Sequence, residues 1–533
     1  MHEKEEFTNM NNANRKVNIP LFSGIAFLLT LILIEFITIM ILNDGLFVFT
    51  LDDPYVHLAL AENIKKGHYG INMGEFSSPS SSVLWPFILA PFSSSPYSAF
   101  LLNVISAIAS VIVLVKILNL SIQIKDDHAR NIFFSVITIL FILATNIVGL
   151  IFTGMEHSLQ VLVVLIIAYG LLIEIEEGKI EWWLLAAIII APLIRYECMA
   201  ISLTAIFYLL MNRRFKPAGI ALFFILVFLG GFSIFLMTLG LDLFPGSVIV
   251  KSSVVQSRGA IVTFISNLKF SLSYRQSVIL SFGALMLLLY ALWGNKIKRR
   301  QLATVTIFAV FLHFIAGSYG WFHRYEIYIL AFELVVILYL FLPLISDRFF
   351  NSNKLTFNLL SAIAFASVVA VFIGGPYVIS LFMIPVASNN IYEQQYQMHR
   401  FVVEYYKKPV AVNDLGYVSY KNSNYVLDLW GVGTPKALKA RLNSDKANWM
   451  QVLTDKANVK LVMIYDEWFN DIPDKWIKIG ELHLGKRKIT PAHSSVAFYV
   501  TNKDSYPEIL RKLVLFSKTL PVGVQFKFEK SDT

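Results

Sequence analysis

Apolar runs separated by short polar gaps dominate the first three quarters of this chain. Crossing a bilayer as a helix takes about 20 apolar residues. On that measure the runs near 19–43, 98–121, 131–152, 158–174, 218–240, 277–294, 301–317, 326–345 and 356–374 read as spans. Two further runs, 182–194 and 199–211, are too short to cross alone. They read as half-helices meeting at Arg195-Tyr196-Glu197, a break that protein or a wet cavity must line. Past residue 388 the period changes. Strand-like runs at 409–413, 425–429, 459–464 and 496–500 alternate with helix-like stretches at 436–455 and 506–518. The expected architecture is a polytopic α-helical membrane protein of about 11 spans over residues 1–387, then an α/β domain over 388–533.

Composition agrees. The chain has 533 residues, 56% of them hydrophobic and 15% charged, with mean hydropathy +0.62. That excludes a soluble globular protein of this length. The net charge of +9 does not point to nucleic acid, because the basic residues sit in the gaps between runs. Arg15 and Lys16 precede the first span. Alternate gaps then carry Lys125 with Arg130, Lys179, Arg213-Arg214 with Lys216, Lys296 with Lys298-Arg299-Arg300, and Arg348 with Lys354. The charge rule puts these groups, and the N-terminus, on the cytoplasmic side. Segments 44–97, 153–157, 195–198, 241–276, 318–325 and the C-terminal domain then face outward. A single cysteine, Cys198, excludes an intrachain disulfide framework.

The first outward loop, 44–97, is long enough to carry function. Asp52 stands where a helix N-cap would, Pro54 suits the first turn, and Gly67 suits the position past the end. Val56, Leu60 and Ile64 recur every four residues, a stripe suited to lying on the membrane surface. A second short helix is expected at 81–92, after a serine-rich stretch, with Trp85 in the headgroup layer. Asp52-Asp53 reads either as a capping pair or as a site in which one carboxylate, partly desolvated, serves as general base.

Leu51-Asp52-Asp53-Pro54-Tyr55-Val56, with Glu62-Asn63, Gly67-His68, Asn72 and the segment Ser80 to Trp85, resembles the first outer loop of bacterial GT-C glycosyltransferases. Mycobacterial-type arabinofuranosyltransferases are most similar; protein O-mannosyltransferases and the lipid A aminoarabinose transferase are more distant. The resemblance implies a polyprenyl-phosphate sugar donor, Asp52 as the base on the acceptor, Asp53 as a supporting acid and Tyr55 at the substrate. It extends to Thr153-Gly154-Met155-Glu156, with Glu156 either at the site or capping the next helix. Arg195-Tyr196-Glu197 stands where the family has Arg-Pro-Glu; its charges either serve the substrate or neutralise each other. Pro245 and Lys251 match an outer segment whose asparagine is Gly246 here, and Arg324-Tyr325 matches an Arg-aromatic pair opening a late span. By resemblance, Lys251, Arg324 and Arg195 would serve the donor phosphate, Glu197 the substrate, and Trp430 a glycan ring; Arg324 would equally suit anchoring its helix at the membrane interface. Trp430, like Asp428, also admits a purely structural role.

The implied reaction is inverting transfer of a single sugar to a cell-envelope glycan (lipopolysaccharide among them), lipid or protein acceptor. It would occur at a bacterial inner membrane, with the C-terminal domain outside and membrane lipids as the surroundings. No cofactor is expected; a divalent metal on Asp52 and Asp53 is possible but lacks an evident third ligand. A lipid or solute transporter, and an O-antigen-ligase-like transferase of whole glycans, remain open alternatives.

Overall fold

The computed structural model describes residues 18–122, 124–251, 260–349, 355–442 and 448–529. Among these, nine helices are long and apolar enough to cross a membrane: Ile19–Leu42, Tyr97–Ser121, Asp127–Ala144, His157–Glu177, Phe215–Thr238, Arg275–Trp293, Ile297–Ala316, Ile327–Leu344 and the long segment Leu359–Tyr406. The two half-helices are Trp182–Ile194 and Met199–Met211. Arg195 between them is extended (φ −151°, ψ 135°), and Pro192 sits in the turn before it. The carbonyl freed at Leu193 accepts the backbone N–H groups of Val83 (3.0 Å) and Leu84 (3.1 Å). The first outward loop therefore lines the break, which is the condition for irregular backbone at this depth.

Three of the basic gaps, around Lys179, Arg213-Arg214 and Lys298-Arg299, meet at one end of the helices, whereas Arg15, Lys16, Lys354 and the Arg348 side chain lie outside the described residues. Glu174, fully buried, takes Lys298 (2.8 Å), Arg214 (3.1 Å) and the Tyr208 hydroxyl (2.9 Å), and Glu176 takes Arg299 (2.7 Å). Asp52, Glu156, Arg195 and Arg324 gather at the opposite end.

Two spans differ from expectation. The run 131–152 breaks at Asn146, whose φ of +47° ends one helix and starts the short helix Ile147–Phe152. The last run grows into a 39-residue helix, Leu355–Glu393, which carries the chain across position 387 without a break. Its buried polar end grips the following domain: Asn390 accepts from the Ile489 amide (2.7 Å) and Glu393 from the Gly485 amide (2.8 Å).

That domain holds a mixed six-stranded sheet in the order β2-β1-β3-β5-β4-β6. The strands are β1 Val410–Val412, β2 Val426–Asp428, β3 Leu461–Ile464, β4 Ile477–His483, β5 Ser495–Val500 and β6 Gln525–Phe528. β1 pairs in parallel with β2 and β3, and the other pairings are antiparallel. The period of two sorts its faces. Val410, Val412, Leu461, Met463, Val496, Phe498 and Val500 join the core that also contains the membrane helices, whereas Ala411, Val462, Ile464, Ala497 and Tyr499 form a second core. β4 and β6 escaped the sequence reading. Both mix polar residues into a half-exposed pattern, and β6 is an edge strand. The expected helix at 436–455 is two shorter ones, Pro435–Leu442 and Trp449–Lys456.

The first-loop helix Asp53–Lys65 forms with Gly67 (φ +80°) just past its end, but it does not lie on the membrane surface. Residues 54–61 and Asn63 are buried, because the C-terminal domain covers the face meant for water. The second helix starts later than expected, as Trp85–Leu89, and continues as a 3₁₀ turn over Ala90–Phe92; the Ser82 hydroxyl accepts from the Trp85 amide (3.0 Å) at its start. Trp85 is buried in the protein rather than placed among headgroups.

The turn between Phe152 and His157 depends on Gly154, at φ +67°, where an added Cβ would lie 2.7 Å from the Phe49 ring. Gly154→Ala should therefore destabilise the protein by about 2 kcal/mol, from left-handed backbone and overpacking together. Thermal unfolding of the detergent-purified protein would show it; an unchanged midpoint would mean that Phe49 yields freely.

Candidate active site

Asp52 occupies the N-cap position of Asp53–Lys65 but does not cap that helix with its side chain. Its carboxylate reaches across to the C-terminal domain instead. Oδ2 accepts from the Gly416 amide (2.7 Å) and Oδ1 from the Tyr417 amide (2.8 Å), at the start of the short helix Gly416–Ser419. Gly416 is required for this approach, since a Cβ there would fall 2.2 Å from the Asp52 carbonyl oxygen and 2.5 Å from Oδ2. Surrounded by protein, Asp52 is held well above the usual carboxylate range. Burial is the main cause and the nearby Asp414 carboxylate adds to it, against the two amides that favour the charged form. Asp414 is placed by Gln395 Nε2 (2.9 Å) and the Tyr465 hydroxyl (2.9 Å).

Asp53 points the other way, accepting from Arg324 Nη2 at 2.6 Å. Arg324 is 1% exposed. Its Nη2 also donates to the Tyr325 hydroxyl (2.9 Å), while Nε and Nη1 are buried with no hydrogen-bond partner among the described residues. A buried guanidinium with donors open at Nε and at Nη1, on either side of the occupied Nη2, is suited to an oxyanion.

The backbone that presents Arg324 is strained. Gly320, Trp321, Phe322 and His323 all have positive φ (76°, 48°, 65° and 53°), a left-handed turn closed by the Arg324 amide donating to the Gly320 carbonyl (3.2 Å). Each non-glycine residue there costs about 1–2 kcal/mol. Side chains hold the turn in place: Asn146 Nδ2 donates to the Phe322 (3.2 Å) and His323 (3.1 Å) carbonyls, Glu326 accepts from the Gly320 amide (3.0 Å), and Gln276 bonds the His323 ring (2.9 Å). Strain held by so many bonds is characteristic of a functional position.

Arg195 has no such freedom. Nη1 bonds Glu156 (2.6 Å), Nη2 and Nε bond Glu197 (2.7 and 3.1 Å), and Ser81 lies 3.4 Å from Nη1. Every guanidinium nitrogen is engaged in a buried ion-pair network, which leaves no open donor for the expected phosphate. Glu156, fully buried, stands at the N-cap of His157–Glu177 without capping it through its side chain; it pairs with Arg195 and stands 3.8 Å from His57 Nε2. Glu197 is the more exposed partner. The Tyr325 ring links the two arginines, with Arg324 4.9 Å and Arg195 5.5 Å from its centre.

Tyr55, expected at the substrate, is fully buried. Its hydroxyl accepts from the Phe49 amide (3.1 Å) and its ring packs 3.8 Å from that of Tyr417, so it is a post beneath the site. Trp430 is likewise occupied, with Arg441 3.8 Å over one face and Trp468 4.6 Å away. Asp428 closes its own loop by accepting from the Trp430 and Gly433 amides. Lys251 ends the helix Gly246–Lys251, and its side chain lies outside the described residues. That helix starts against the same loop, where a Cβ on Gly246 would be 3.3 Å from the Val432 carbonyl.

Sequence reasoning passed over Asp414, Gly416, Tyr417 and Asn146 as site residues. Only the first two had a signal, the Asn413-Asp414-Leu415-Gly416 turn opening the domain. Among the described residues, no group of three or more His, Cys, Asp and Glu is placed to hold a metal ion.

Residues 389–499 match the family described as Domain of unknown function (DUF8728). No curated protein matches the chain. Among the solved structures similar to it are two of the Archaeoglobus fulgidus oligosaccharyltransferase, both at 12% identity. The apo crystal structure gives a TM-score of 0.42 over 86% of this chain and 73% of that one. The form tethered to an acceptor peptide containing the NVT sequon gives 0.45 over 95% and 76%. The chemistry of the site rests on its own geometry.

Gly416→Ala should displace the Asp52 carboxylate and loosen the domain over the first loop. Limited proteolysis should then cut the connection after Glu393 faster than in the native protein. Equal digestion rates would show that the Asp52–Gly416 contact does not hold the two parts together.

Proposed function

We propose that this chain is a GT-C-type glycosyltransferase of the cell envelope. It moves a single sugar from a polyprenyl-phosphate donor to a glycan, lipid or protein acceptor outside the cytoplasm. One observation carries this reading: adjacent carboxylates lie beside a buried arginine, Arg324, that keeps two donors open. The acids supply a base and the arginine a place for a leaving phosphate.

In this reaction Asp52 takes the proton of the acceptor hydroxyl. The acceptor oxygen bonds to the anomeric carbon as the bond from that carbon to the phosphate oxygen breaks. The electron pair leaves on the phosphate, and attack from the opposite face inverts the configuration. Arg324 meets the growing phosphate charge with its positive charge and an open N–H, in surroundings where such a donor acts strongly. Asp53 keeps Arg324 oriented, and Lys251 is a second cation for the donor. The basic gaps face the cytoplasm in this scheme, so the site opens outward at a bacterial inner membrane. The transfer needs no metal, since Arg324 already neutralises Asp53, one of the two carboxylates a divalent ion would use. Chelator should leave the rate unchanged.

In membranes supplied with labelled polyprenyl-phosphate sugar, Asp52→Asn should lower transfer by about 10²-fold or more. Arg324→Gln should lower it by about 10²–10³-fold. Transfer by Asp52→Asn at the native rate would remove the base assignment, and loss of a whole polymer from a deletion strain would point to a different transferase.

The acidic limb of the rate profile gives a further test. A base works only when deprotonated, and burial with Asp414 raises Asp52. The rate should therefore fall off at a higher pH than an ordinary carboxylate would give. Asp414→Asn removes a like charge and should move that limb to lower pH.

A further inference from the structure

A cavity of about 850 Å³ lies within the membrane-spanning region, between the helices Asp127–Ala144, Arg275–Trp293, Ile327–Leu344 and the segment from Leu359. Two of its lining residues, Phe365 and Phe372, are 65% and 50% exposed on a membrane-spanning segment. Its volume suits a small organic ligand. The wall is apolar apart from Glu333, which is 1% exposed and has Oε1 without a partner among the described residues. Gly283 makes room for this carboxyl, since a Cβ there would lie 2.6 Å from the Glu333 carboxyl carbon. The active-site chemistry described above makes no use of Glu333.

Two features of the wall favour positive charge. An intramembrane carboxylate is stabilised when a cation is brought to it in low dielectric. The wall also carries six phenylalanine rings, Phe133, Phe141, Phe282, Phe341, Phe365 and Phe372, whose faces attract cations. A small hydrated ion does not suit the site, because a single carboxyl cannot replace its shell of oxygen ligands. A large organic cation with spread charge loses little on desolvation and buries apolar surface in the same step.

We propose that this cavity is a binding site for membrane-permeant organic cations with delocalised charge, seated on Glu333 and enclosed by phenylalanine rings. The proposal is independent of the glycosyl-transfer reading, since its ligand need not be a substrate.

The test uses the full chain purified in detergent, with radiolabelled tetraphenylphosphonium as the probe. Tetraphenylborate, similar in shape and opposite in charge, is measured separately. Tetraphenylphosphonium should bind saturably above empty micelles, and tetraphenylborate should not. Glu333→Gln should weaken binding of the cation at least tenfold while the protein stays folded by thermal unfolding. Gly283→Ala, which displaces the carboxyl without removing it, should weaken it as well and serves if the first variant fails to fold. Equal binding of both probes, or native affinity in the folded variants, would overturn the proposal and leave an apolar crevice that takes lipid chains.

Discussion

The contact between the Asp52 carboxylate and the amides of Gly416 and Tyr417 is the constraint on which the rest of the outward face depends. It joins a residue just past the first span to one more than 360 positions later, across the boundary between membrane helices and sheet domain. The missing side chain at Gly416 is what permits it. With the domain held there, the helix Asp53–Lys65 is enclosed on nearly every side, and a segment patterned for an interface becomes part of a core. One face of the sheet contributes to that same core, so domain and bundle share a single packed interior.

Below that contact, the site is governed by the need to satisfy charge away from water. Arg195 and Arg324 are both buried, both near Tyr325, and both expected as phosphate ligands. They differ in what surrounds them. Two glutamates saturate Arg195, and removing either would leave an uncompensated buried charge, so the network is structural. Among the described residues, Arg324 has only Asp53 and Tyr325, both on one nitrogen. A left-handed turn with three non-glycine residues is held in place to present it, an arrangement a merely structural arginine would not need.

The C-terminal domain takes part in this arrangement. It supplies the amides that orient Asp52 and the Asp414 carboxylate that raises its basicity. Cutting the chain at 387 would break a continuous helix and remove both.

Much of this protein was legible in its residues taken in order. Runs of apolar residues long enough to cross, the short pair around Arg195 and the period change near 388 follow from bilayer thickness and from side-chain periods of 3.6 and 2, which are local properties. The basic gaps marked one end, and Asp52-Asp53 with Arg324 marked the other. What local pattern could not contain was which buried group meets which. Tyr55 and Trp430 look alike in sequence whether a sugar or a neighbouring ring covers them, and here Tyr417, Arg441 and Trp468 do. Glu156 and Glu197 could be ligands or counter-ions until Arg195 was found between them. Whether a charge is spent or available depends on partners brought near by folding, and that only the tertiary structure decided.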